Sequence, residues 1–134
     1  MSQNSSDLWP ADFGTPNVRL PVVILREQAA LLGRKTGNLV EAEVRTNPGA
    51  VSPKDLEYRF FLVAPALDHY RYYLFMIVHS VGDTYPVRFY PKESEGEFDE
   101  IHSEQELVNR LAEVFNSDDT KRVIQSLIAQ SQAA

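Results

Sequence analysis

The sequence has no cysteine, only three histidines, one tryptophan and two methionines in 134 residues. Without cysteine there are no disulfides, no thiol nucleophile, no iron–sulfur cluster and no thiolate-ligated zinc. His69, His79 and His102 show no metal-ligand spacing such as HxxxH. Gly33, Gly37 and Gly49 do not form a phosphate-binding loop, and there is no GxSxG nucleophile elbow. No apolar run reaches the ~18 residues of a membrane-spanning helix. Met1 to Asp7 lacks the basic and apolar regions of a secretory leader, so the expected address is the cytoplasm. Bases are also scarce: Lys and Arg number 13 against 19 Asp and Glu, a net charge of -6. That balance argues against electrostatic capture of duplex DNA or an anionic membrane.

What is present reads as one α+β domain. Residues 1–18 are rich in Ser, Asn, Asp, Gly and Pro and are expected to form an irregular arm, with Trp9 and Phe13 large for a free tail. The domain proper is expected over 19–130, with a frayed polar tail at 131–134. Val22, Leu25, Ala29 and Leu32, widened by Ile24 and Leu31, give helical spacing over 20–36, with Pro21 in the first turn. Residues 38–46 alternate, Val40, Ala42 and Val44 against Glu41, Glu43 and Arg45, as a half-buried strand does. Asn47-Pro48-Gly49 opens a loop, and strands are expected at 56–64, 70–81 and 84–90. Ser103 and Glu106 form a capping box before the apolar face of Leu107, Val108, Leu111, Val114 and Phe115. Ser117 caps a last helix carrying Val123, Ile124, Leu127 and Ile128. The expected fold is a four-stranded antiparallel meander, preceded by one helix and followed by two helices packed on the sheet.

The charge is localised. Residues 91–117 carry eight acids against Lys92 and Arg110, which accounts for the whole net charge of -6. Glu93, Glu95, Glu97, Asp99 and Glu104 match positions 1, 3, 5, 7 and 12 of a calcium loop in charge. Phe98 stands where such a loop requires glycine, so a solvated acidic loop is the better reading.

The sheet is expected to be apolar on both faces. Taking Gly82-Asp83 as a two-residue turn pairs Ile77 with Arg88 and Phe75 with Tyr90. One face then holds Val78, Val87, Met76 and Phe89 under the helices. The other holds Phe61, Arg71, Tyr73, Phe75, Arg88 and Tyr90, with Ile77 and His79. Aromatic residues and arginine with few lysines are the composition of an interface core, and an apolar second face calls for a cover. A helix, a second protomer or a ligand would supply it.

No catalytic set accompanies these features. Asp68-His69 pairs a carboxylate with an imidazole in a turn, without a nucleophile, and His79 and Ser80 point to opposite faces of a strand. The expected function is therefore a non-enzymatic interaction or accessory protein, chaperone-like or adaptor, acting as a homodimer. Its surface would be Phe61, Arg71, Tyr73, Phe75, Arg88 and Tyr90, with no cofactor and no metal. The alternative is a small-ligand-binding protein or small enzyme with a pocket between sheet and helices, using His69, Tyr72, His79 or Tyr85. A third reading has the aromatic–arginine face stack single-stranded bases.

Overall fold

The computed structural model describes residues 7–48 and 52–134, so Gly49 and the first six residues of the arm lie outside it. The chain is α+β, with three helices and one antiparallel sheet. The elements run α1 (Pro21–Lys35), β1 (Glu41–Pro48), β2 (Asp55–Ala64), β3 (Tyr70–Ser80), β4 (Val87–Pro91), β5 (Asp99–Ile101), α2 (Glu104–Phe115) and α3 (Asp118–Ala133). Strand order follows chain order.

The sheet has five strands rather than the expected four. The fifth, Asp99–Ile101, lies at the end of the acidic run. Two of its three residues are charged, so it has no alternation to reveal it. Its pairing of Val87 with Ile101 and Phe89 with Asp99 extends the sheet, and its charges suit an edge strand.

Local chemistry sets the ends. Pro21 starts α1, where its missing N–H costs nothing. Thr36 closes it, its hydroxyl donating to Val40 O at 2.6 Å and accepting from Val40 N–H at 3.1 Å, which ties α1 to the start of the sheet. Gly37 sits next at a φ of 59°, where a side chain is strained. Ser103 caps α2 by accepting from Glu106 N–H, while the Glu106 carboxylate accepts from His102 N–H at 3.2 Å. Ser117 caps α3 through Thr120 N–H. The last helix continues past the apolar stripe to Ala133, with Ser131 buried.

The register between β3 and β4 differs by one residue from expectation. Val81–Pro86 is a six-residue connection, and the ladder starts at Val87, because Pro86 has no N–H to donate. Ile77 opposes Phe89 and Val78 opposes Arg88. A bulge adds to the change: Phe60 opposes Phe75 but Phe61 opposes Tyr73, leaving Leu74 as the extra residue. Phe75, Ile77 and His79 therefore face the helices with Val87 and Phe89, and Phe75 does not belong to the second face. Met76 and Val78 take the second face instead.

The core lies between the sheet and all three helices. Phe60, Phe75 and Phe89 stack across β2, β3 and β4 with centroids 5.0 and 5.1 Å apart. Phe115 of α2 closes over Phe60 at 5.3 Å. Ile24 and Leu25 of α1, Leu107 and Leu111 of α2 and Leu127 of α3 complete the cluster.

Candidate functional site

The second face of the sheet has no helix on it, yet it is largely closed. Val78 is 0% exposed and Glu57 2%. Two ion pairs explain the cover. Asp55 on β2 and Arg88 on β4 meet at 2.7 Å, crossing β3 over Val78. Glu43 on β1 and Arg71 on β3 meet at 2.7 Å, crossing β2 beside Phe61 and Val63. Arginine stems shield apolar surface while their heads stay hydrated. Arg59 binds Glu57 at 2.8 Å and lies 6.0 Å from the Tyr73 ring centre. Phe61 packs on Tyr73, and Phe98 on Tyr90. So Phe61, Arg71, Tyr73, Arg88 and Tyr90 share this face as expected, and the cover is made by the face's own side chains. Burial pushes the Tyr73 phenol up, with Arg59 opposing and Glu57 adding to the shift. Burial also raises the Glu43 carboxyl, but Arg71 and Arg45 outweigh it and hold the group below its ordinary range.

The four residues expected to line a pocket are not brought together. His69 is exposed in a left-handed turn beside Asp68. Tyr72 borders a depression of about 390 Å³ between β3, β4 and the α2–α3 pair, with Lys92 Nζ 3.8 Å from its ring centre. His79 is interior, stacked on Tyr58 at 5.7 Å and hydrogen-bonded through Nδ1 to Ser80 O, while its Nε2 has no partner. Tyr85 sits near the start of α2 with an unpartnered hydroxyl, its phenol raised by burial and by Glu104.

Comparison with protein-family models, curated proteins and solved structures yields no match. The site must be read from its geometry alone.

That geometry holds a larger feature. A cleft of about 590 Å³ opens between α1 and the α2–α3 pair. Its floor is Phe60 and Leu62 of β2. Ile24, Gln28, Leu31, Leu32 and Lys35 form one wall, and Val108, Leu111, Ala112 and Phe115 the other. The cleft exists because α1 packs on β1 while α3 packs on β2 and α2 on α3. Leu31 and Val108 are consequently exposed at its lips. From Ile24 to Lys35 the α1 wall runs ~16 Å at 1.5 Å per residue. Arg19, held by Glu27 and Glu104, also lines it. Its charged lining residues are Arg19 and Lys35. Its polar groups, Gln28, Asn116 and Thr120, include no nucleophile–base pair. Sequence periodicity assigned Leu31 and Val108 to buried stripes. Periodicity gives the apolar face of a helix but not the gap to its neighbour.

Proposed function

We propose that this chain is a non-enzymatic protein-interaction module whose α1/α2–α3 cleft takes a short, extended, acidic–apolar segment of a protein. The observation that carries this reading is the lining: an apolar floor of Phe60 and Leu62, walls that mix Ile24, Leu32, Leu111 and Phe115 with Gln28, Asn116 and Thr120, and Lys35 as the cation beside an Arg19 already paired with Glu27 and Glu104. An extended segment of about five residues spans ~17 Å, the length of the α1 wall. The exposed leucine and valine at the lips are the kind of surface that a partner removes from water. Lys35 would select an acidic flank and fix the direction of the segment. A small ligand of similar chemistry would use the same lining, since the volume is in the range of small-molecule pockets.

A second reading keeps the bare sheet face as the contact surface. Phe98 is exposed beside Tyr90, so this face retains aromatic surface at its margin.

One experiment separates the readings. The full chain is titrated by NMR with a synthetic hexapeptide carrying two aromatic residues and two aspartates, and with its lysine counterpart. The expected result is amide shifts along 24–35 and 108–116, with binding about tenfold weaker for the lysine peptide, ~1.4 kcal/mol. Shifts confined to Phe61, Tyr73, Tyr90 and their strands would transfer the function to the sheet face. No shifts anywhere would sink the cleft reading.

A further inference from the structure

We propose that the cleft of each chain receives the arm of a second copy, residues Leu8 to Phe13, so that the protein dimerises by arm exchange. The proposal rests on the cleft being a site for apolar segments. Leu8, Trp9 and Phe13 are 90%, 74% and 76% exposed, more than any other large hydrophobic side chain among the described residues. Trp9 and Phe13 stand as a pair, ring centres 5.9 Å apart. The backbone there is already bent: Trp9 N–H donates to Asp7 at 3.1 Å and Gly14 N–H to Asp12 at 2.5 Å. A segment held this way loses less conformational freedom on docking.

Charge complementarity joins arm and cleft. Residues 7–18 contain Asp7 and Asp12 and no base. The cleft lining contains Lys35, together with Arg19, which Glu27 and Glu104 already hold, so Lys35 is the cation that an aspartate of the arm would meet.

The arm does not lie in the cleft of its own chain: residues 7–20 are all exposed. Arg19, where the arm joins the domain, is pinned by Glu27 and Glu104 at the cleft. The ten steps from Trp9 to Arg19 reach ~33 Å when extended. Reciprocal exchange buries two arms in two clefts with one two-fold axis. Each aromatic side chain buries ~150–250 Å². Counting Leu8 and the cleft surface, two such contacts come to about the ~1,200 Å² at which specific interfaces begin.

Trp9 is the single tryptophan, so its emission reports on the arm directly. Sedimentation and fluorescence of the full chain are followed together from 1 to 200 μM. The expected result is a twofold rise in mass accompanied by a blue shift of Trp9 emission. Leu31→Glu with Val108→Glu, both at the exposed lips, should hold the chain monomeric with solvent-like emission. Trp9→Ser with Phe13→Ser, which touches no part of the core, should abolish the mass change. Mixing the lip variant with the arm variant should restore a dimer with one blocked and one occupied cleft, and with blue-shifted emission. A chain that stays monomeric throughout, or a dimer whose tryptophan remains solvent-like, overturns the exchange. If the acidic hexapeptide still shifts the cleft amides in that case, the cleft reading survives and only the arm is excluded. If neither occurs, both fall.

Discussion

The two faces of this sheet bury their residues by different means. Toward the helices, Phe60, Phe75 and Phe89 stack in a row and helices α1 to α3 cover them. On the opposite face Val78 and Glu57 are as buried as the core, beneath side chains anchored to the sheet itself. One cover is apolar, dense and indifferent to salt. The other consists of ion pairs strapped across strands, whose strength depends on solvent and pH. An apolar pattern on both faces of a strand therefore does not by itself imply a missing partner. Long charged residues spaced to reach across one strand can close the face.

The comparison breaks most readily at the paired aromatics. Phe75→Ala should cost about 3–5 kcal/mol, since the ring is fully enclosed between Phe60, Phe89 and Phe115. Tyr73→Ala, two residues away on the other face, should cost about 1 kcal/mol, because its ring contacts Phe61 and Arg59 at a solvated surface. Urea denaturation of the two variants measures both. Equal losses would mean that the second face is packed like the core and that the contrast is wrong.

A smaller effect tests the ionic cover. Asp55 and Arg88 form the strap over Val78, and both are mostly shielded. A double-mutant cycle with Asp55→Asn and Arg88→Met should return a coupling of about 1 kcal/mol, reduced in 1 M salt. Zero coupling would show that the arginine stem covers Val78 without help from its charge.

These contrasts mark what the sequence could disclose. The α1 stripe, the capping box at Ser103 and the alternation of Val40, Ala42 and Val44 are local patterns, and local patterns carry through to structure. The face assignment of Phe75 depended on register. A six-residue connection and an extra residue at Leu74 each reverse the facing of the residues beyond them, and neither leaves a periodic trace. β5 is too short and too charged to alternate. The sheet-face residues Phe61, Arg71, Tyr73, Arg88 and Tyr90 fall on one face as expected because the extra residue at Leu74 and the one-residue register change at β4 offset each other. The cleft was not, because it depends on the separation between helices that are about 70 residues apart in the chain. Its ingredients were still visible: Leu31 and Val108 at the margins of their stripes, and an acidic arm carrying Trp9 and Phe13.

The smallest effect concerns the other strap, Glu43 with Arg71 over β2. Glu43 also meets Arg45 at 3.1 Å, so two guanidinium groups share one carboxylate. Burial opposes its ionisation, and the two arginines prevail, lowering its pKa from the ordinary value of 4.5. A carboxyl that is more acidic folded than unfolded adds stability above its unfolded value and loses it as the pH falls toward and through the folded value. Glu43→Gln should therefore reduce stability by about 0.5 kcal/mol at neutral pH, the scale of a partly exposed ion pair. Below pH 4.5 the difference between variant and parent should shrink and then vanish, whereas Phe75→Ala should keep its deficit across the same range. Thermal melts from pH 7 to pH 3 would display the two behaviours side by side. A constant offset for Glu43→Gln at every pH would assign its contribution to packing and remove the ionic strap from this edge of the sheet.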